Sequence, residues 1–274
     1  MIHTINSALL TRSIKVAVVG AGGTGSHILR KLAVIHMSML ELGHPRGLDV
    51  TVIDPDKVSK TNVGRQDFYP SDIGISKAAI LVHRCNMRLQ TDWQAVQALI
   101  TESSEFYNED IVISCVDNRK ARRAILSAIG RSRKPSVYYL DIGNREHDGQ
   151  VILGQVMTKQ AEAQEGVIRL PHAGDLFPEI TDESLDEKDE TPSCSLAEAL
   201  EKQSLFINDN MATAAMNLLW ELFRYGQISH HGQFINIKSG RVTPLPIDPE
   251  AWKRFGYKVP TKRKRRSSKS ETAK

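Results

Sequence analysis

The chain has 274 residues, 41% of them hydrophobic and 25% charged, with a formal net charge of +4. That length carries one sizeable core with appendages and leaves little room for two independent catalytic domains. No apolar run approaches the roughly 20 residues of a membrane helix. The opening MIHTINSALLTRSIK lacks a basic start followed by an apolar stretch, and Cys85, Cys115 and Cys194 form no CxxC pair, so the expectation is a reduced, cytoplasmic protein without disulfides, structural zinc or membrane segment.

In chain order, Ile14 to Val19 (IKVAVV) reads as a short buried strand ending at Gly20. A glycine turn follows, and from Ser26 an apolar-periodic helix runs through Ile28, Leu32, Ile35 and Met39. A second strand, Val50 to Ile53, ends in Asp54. Strand, glycine turn, helix, strand and acid is the opening order of a nucleotide-binding α/β unit. A helix is expected from Ser76 to about Leu89, with Lys77 in its first turn, then a strand from Ile111 to Cys115 that stops at Val116 and Asp117. Asn118 can cap the helix that carries Ala121, Ile125 and Ile129. Val137 to Leu140 and Gln150 to Val156 are β-rich, and repeated strands separated by helical patterns imply a largely parallel sheet covered by helices.

From Asp175 to Glu190 eight acidic residues stand against one lysine. That composition suits a mobile loop, or a segment that covers a site or meets a basic partner. Order is expected to return with a helix near Ser195 to Lys202 and a longer one near Asn208 to Tyr225, whose Met211, Ala215, Leu218, Leu219 and Leu222 make an apolar face for core packing. Phe234 to Ile237 and Val242 read as a terminal hairpin, after which Pro244, Pro246 and Pro249 limit regular structure. From Lys253 to Lys274 there are ten lysines and arginines against the single Glu271. The basicity is therefore a property of the tail, which includes KRKRR at 262–266. Two readings of that tail stand, a disordered solubilising segment and weak contact with nucleic acid or an acidic surface.

The loop GAGGTG, Gly20 to Gly25, places glycines where a side chain would obstruct a tight turn or a close nucleotide, and the amides of the helix that follows can face anionic phosphate. Gly20, Gly22, Gly23 and Gly25 are the candidate phosphate-turn residues, and Asp54 suits hydrogen bonding to ribose hydroxyls. The next stretch, DPDKVSKTNVGRQDFYPSDIGISKA, separates the possibilities. Hydride transfer from a nicotinamide does not require a compact set of Asn62, Arg65, Gln66 and Lys77. Attack on a phosphoanhydride does require cations that offset developing charge, and Arg65 and Lys77 suit that work.

These motifs, taken in order, resemble the E1-like family of ubiquitin-activating and sulfur-carrier-activating enzymes that includes ThiF, MoeB and HesA proteins. The resemblance covers roughly residues 13–156, with a weaker return near 194–226. It rests on the glycine loop, Asp54, an NxxRQ motif at Asn62, Arg65 and Gln66, then Lys77, then the strand-end pair Asp117 and Asn118. The resemblance implies a Rossmann-like α/β adenylation fold with helices on both faces of a mainly parallel sheet and a smaller C-terminal β/helical extension. It implies a nucleotide-binding adenylation core over 1–156, an acidic mobile crossover loop over 157–193, the C-terminal part of the same domain over 194–252, and a basic disordered tail over 253–274. ATP and Mg²⁺ are the implied cofactors: Gly22 and Gly25 approach ATP, Asp54 binds ribose, Asn62, Arg65 and Lys77 contact phosphates, and Asp117 holds Mg²⁺. The implied reaction is adenylation of the C-terminal carboxylate of a small ubiquitin-like or sulfur-carrier-like protein. A homodimer and an E2-like protein are implied partners.

Some points stay open at the level of sequence. Cys194 reads either as an acyl-carrying nucleophile after the adenylation core or as a structural cysteine, whereas Cys85 and Cys115 read as core. Asp117 could bind metal or only cap its helix, and Asp56 could add an acidic contact or only stabilise its turn. Relatives receive an arginine from an N-terminal helix of the other subunit; only about a dozen residues precede the first strand here, and Arg12 is a doubtful substitute. The zinc-binding CxxC pairs of many sulfur-carrier relatives are absent from this sequence. The segments FINDNMATAAMNLLWELFRYG and PLPIDPEAWKR resemble the ThiF proteins of the bacterial PRTRC system. The competing functions are a non-catalytic E1-like scaffold and a nicotinamide-dependent oxidoreductase.

Overall fold

The structure is a computed structural model that describes residues 1–64, 66–163, 168–186 and 203–259. Arg65, Cys194, the helix expected near 195–202 and the KRKRR tail lie outside the described residues. An eight-stranded sheet forms the centre, with order β10-β9-β7-β6-β5-β2-β3-β4. The strands are β2 (Ile14–Val19), β3 (Leu48–Ile53), β4 (Gln94–Val96), β5 (Ile111–Ser114), β6 (Ser136–Asn144), β7 (Asp148–Met157), β9 (His230–Asn236) and β10 (Arg241–Pro246). A small antiparallel pair, β1 (His3–Thr4) with β8 (Gln227–Ile228), ties the N-terminus to the end of a late helix.

Strands β2 to β6 run parallel, whereas β7 pairs antiparallel with β6, β9 with β7 and β10 with β9, so the sheet is mixed and mostly parallel. The central strands β2 and β5 are near-continuous apolar runs because helices cover both faces, whereas β4 at the sheet edge is exposed. Residues of β2 alternate between the two cores that result: Ile14, Val16 and Val18 enter the larger, Ala17 and Val19 the smaller. The larger core receives α1 (Gly23–Glu41), α2 (Lys77–Leu89) and the late helix α6 (Ile207–Tyr225); the smaller receives α3 (Arg119–Gly130). On α6 the expected face, Met211, Ala215, Leu218, Leu219 and Leu222, is buried. Two helix-end features agree with the helix reading: Asn118 caps α3 by accepting from the Ala121 amide, and Gly226 ends α6 at φ +69.

The hairpin of β9 and β10 extends the central sheet, and Pro244 and Pro246 lie on β10, an edge strand where a missing N–H costs nothing. Short helices α4 (Lys159–Glu162) and α5 (Ala173–Leu176) and 3₁₀ turns at Pro178–Thr181 and Glu183–Leu185 follow β7; α7 (Pro249–Lys253) closes the described chain. Phe177 packs edge-on against Phe234 and Phe255, which anchors the start of the acidic segment to the β9 hairpin. No helix among the described residues is long and apolar enough to cross a membrane.

Candidate active site

The glycine turn joins β2 to α1 where space is least. Gly20 has φ +92, and a Cβ there would lie 2.7 Å from the Cys115 carbonyl oxygen. A Cβ at Gly25 would lie 1.9 Å from the Gly20 carbonyl oxygen. Only glycine lets the helix begin this close to the strand end. Gly22, by contrast, faces open space with nothing within 4 Å of a built Cβ, and as the N-cap of α1 it offers no side-chain acceptor to the first-turn amides. The start of this 19-residue helix thus presents orphan N–H groups and the positive end of its dipole.

Asp54, which follows β3, is 5% exposed and grips the turn from below. Its Oδ2 accepts from the Ala21 amide at 2.6 Å and its Oδ1 from the Asp56 amide at 2.8 Å. Burial pushes the Asp54 carboxyl above its ordinary value, opposed by those two amides and by the charge of Lys77. Lys77 opens α2, with Ser76 as N-cap, and its buried ammonium sits 2.9 Å from Asp56 Oδ2. Asp56 therefore braces Lys77 and also shapes the turn, since its carbonyl accepts from the Lys77 amide at 3.0 Å.

The intervening loop is held by its own polar groups. Buried Asn62 accepts from the Ser59 amide at 2.9 Å, and the Gln66 amide donates to the Asn62 carbonyl at 3.0 Å. Gln66 Oε1 is buried without a partner among the described residues. Ser26 Oγ on α1 accepts from the Asp67 amide at 3.2 Å, which ties the loop to the first turns of the helix.

Asp117 lies three residues beyond β5 and is exposed. Because Asn118 caps α3, the Asp117 carboxylate is not spent on that task; its Oδ1 accepts from Asn118 Nδ2 at 3.2 Å. The Asp186 carboxylate reaches the same helix end, accepting from the Arg119 amide at 3.0 Å and the Lys120 amide at 3.1 Å. Beneath Asp117 a pair emerges that the motifs did not reveal. Arg122 Nε donates to Asp141 Oδ1 at 3.0 Å, and the Tyr139 hydroxyl donates to the same oxygen at 3.0 Å. Burial alone would lower the Arg122 guanidinium; the charges of Asp141, Tyr139 and Asp117 more than reverse this. The signal available in sequence was an aspartate inside the apolar run VYYLDIG, which requires a buried cation.

Gly20 to Gly25, Asp54, Lys77 and Asp117 are thus gathered at the carboxyl ends of β2, β3 and β5, where open α/β sheets place ligands. Arg12 is not part of this group. It forms a bidentate pair with buried Asp110, both contacts at 2.7 Å, at the opposite end of β5, and Lys134 joins the same carboxylate. Cys85 is buried on α2, its thiol pushed up to about 11 by burial, and burial likewise raises the Cys115 thiol. No group of three or more metal-ligating side chains exists among the described residues. An Mg²⁺ ion shared with phosphate oxygens needs only one or two carboxylates, which Asp117 fits.

A sequence model of the ThiF family matches residues 7–250. The chain belongs to the ThiF family. It is 30% identical over 154 residues to mouse ubiquitin-like modifier-activating enzyme 6, covering 53% of this chain and 14% of that protein. It is 31% identical over 134 residues to the Yarrowia lipolytica adenylyltransferase and sulfurtransferase UBA4, covering 46% and 31%. It is 33% identical over 133 residues to ubiquitin-like modifier-activating enzyme 5 of Drosophila ananassae, covering 43% and 31%. The chain therefore spans less than a third of each of these relatives. The crystal structure of PaaA superimposes with a TM-score of 0.56 over 88% of this chain and 75% of that one; at 14% identity this likeness concerns the fold.

Proposed function

We propose that this ThiF-family chain transfers AMP from ATP to the C-terminal carboxylate of a small ubiquitin-like or sulfur-carrier-like protein. The observation that carries the reading is the gathering, at the carboxyl ends of the parallel strands, of an uncapped helix start, a braced lysine and an exposed aspartate not spent as a cap. A carboxylate oxygen of the partner attacks the α-phosphorus, the bond to the β-phosphate oxygen breaks, and pyrophosphate leaves. In this reading the first-turn amides of α1 face phosphate, and Asp54 accepts from ribose hydroxyls with the lone pairs its amide partners leave. Lys77 offsets charge on the departing pyrophosphate. By the resemblance of the NxxRQ motif, Asn62, Arg65 and Gln66 bind the same nucleotide. Asp117 would hold Mg²⁺, which supplies charge neutralisation at the phosphates.

Further parts of the proposal rest on resemblance: membership of the PRTRC-system group, a homodimeric state, an E2-like partner, and acyl transfer to Cys194 with loss of AMP. The first test is ATP–pyrophosphate exchange by the purified chain with candidate small proteins, wild type against Asp117→Ala. Partner-dependent exchange that falls about a hundredfold or more in the variant is the expected result. Exchange that is insensitive to Asp117, or a dinucleotide bound more tightly than Mg-ATP, overturns the reading.

A further inference from the structure

A glycine-rich helix start is the segment least able to hold its own shape, because each glycine loses the most conformational freedom on ordering. Gly20 and Gly22 lie in the turn before α1, Gly23 and Gly25 lie in its first turn, and no side chain caps the helix. Its order must come from its neighbours: Asp54 holds the Ala21 amide ahead of the helix, and the first turn of α6 packs against the helix start itself. Asn208 there is 5% exposed, so its amide must find partners. Its Oδ1 accepts from the Thr24 hydroxyl at 3.0 Å, and its Nδ2 donates to Gln203 Oε1 at 3.3 Å. The same amide fills the space beside Gly23, where a built Cβ would lie 2.7 Å from Nδ2. Thr24 Oγ1 also lies 3.4 Å from Asn144 Oδ1 at the end of β6. The next residue, Asp209, reaches Lys31 at 2.8 Å, Arg30 at 3.4 Å and His27 at 3.5 Å, which fixes α6 along the first turns of α1.

We infer that Asn208 is a positioning residue for the phosphate turn. Its side chain, acting through Thr24 and against Gly23, holds the first-turn amides of α1 aimed at the bound triphosphate. The inference rests on the nucleotide reading of this site and adds to it a residue from the far end of the chain, 184 positions from Thr24. It also makes the packing of α6 a determinant of nucleotide affinity. Bulk core packing would require only an apolar side chain of similar size at 208.

The test compares full-length wild type with Asn208→Leu, Thr24→Val and the double variant, and with Asn217→Leu on the exposed face of α6 as control. Mg-ATP affinity, melting temperature and amide exchange in the ligand-free protein are measured for each. Each single substitution at the clasp is expected to weaken Mg-ATP about tenfold, the worth of one buried hydrogen bond. The double variant should be no weaker than either single one. Exchange should quicken at Ser26 and the residues after it in the clasp variants, and Asn217→Leu should match wild type in all three measurements. Unchanged exchange at the helix start in Asn208→Leu overturns the inference, as does additive loss in the double variant or a fall in melting temperature with affinity intact. If wild type itself binds no nucleotide, the functional reading fails, and the exchange arm alone still decides whether Asn208 holds the turn.

Discussion

Asp141 is a fully buried carboxylate in the middle of the sheet, and it survives there because Arg122 and the Tyr139 hydroxyl share its Oδ1. Removing one partner of such a pair strands the other charge in a medium that cannot solvate it. Asp141→Ala should therefore destabilise the protein by about 3–5 kcal/mol, read as a lower urea midpoint at unchanged slope. Replacement of both Arg122 and Asp141 by apolar residues should recover much of that loss; a double-variant loss equal to the sum of the two single losses would show that the charges are not coupled. The contrast with Asp117 explains how much of the site the sequence disclosed. Gly20 to Gly25, Asp54, Lys77 and Asp117 occupy strand ends and helix starts, positions that local pattern locates. Arg122, Asn144 and Asn208 act across the fold, and their partners lie 19 to 184 residues away, so no spacing rule reached them. Arg12 shows the converse, because its distance from the site depends on which end of β5 Asp110 occupies.

At the scale of elements, periodicity located β2, β3, β5, α2, α3 and α6 closely because apolar runs, Asn118 and Gly226 are local signals, whereas β1, β4 and β8 are too short to carry a pattern. The glycine turn was less transparent: α1 begins at Gly23, three residues before Ser26, since packing against α6 overrides the poor helix propensity of glycine. The stretch after β7 was also obscured. Its acidic composition masked the few apolar anchors, Leu170, Leu176 and Phe177, and masked a specific electrostatic role. Asp186 sits on the first amides of α3, while Arg119 binds the Glu179 and Leu185 carbonyls and Arg123 pairs with Glu183 at 3.2 Å. Burial works against the Asp186 charge, but the Arg119 and Lys120 amides and the Arg119 guanidinium outweigh it and hold its carboxyl below the ordinary value. A depressed carboxylate stabilises the fold above its unfolded value and loses that contribution as pH falls through its folded one. Asp186→Ala should lower stability by about 1 kcal/mol at neutral pH. It should also admit protease or hydrogen exchange at 178–186 before the rest of the chain opens. Exchange in that stretch equal to wild type would mean that the segment is held by Phe177 and its neighbours instead.

Across the whole molecule the histidines form a separate response to pH. His3, His27, His36, His172 and His231 all lie below the ordinary imidazole value because burial penalises the charged ring. They are spread over the N-terminal strand, α1, the residue capping α5, and β9, so their effect belongs to no single element. His231 is the strongest case: it is fully buried, its Nδ1 donates to the Leu153 carbonyl at 2.8 Å, and its Nε2 accepts from the Trp252 indole at 2.9 Å. Protonation would leave Nε2 and the indole as two donors facing each other, and the ring is held down to about 4. The unfolded chain, with imidazoles near 6.5, therefore binds more protons than the folded one between roughly pH 6.5 and 4, so stability falls as pH falls through that window. Asp54 works in the opposite sense, since its raised carboxyl takes a proton more readily folded than unfolded. It is one group against five. The depressed carboxylates of Asp110, Asp186 and Asp209 act lower, below the ordinary aspartate value, and do not blur the window. Chemical denaturation at pH 7 and pH 5 should show a loss on the order of 2 kcal/mol from His231 alone. His231→Gln should be less stable at pH 7 yet show a shallower fall towards pH 5. A wild-type profile flat across that interval would mean that the buried rings gain partners or water on protonation, and that the indole bond of Trp252 does not fix the neutral state of His231.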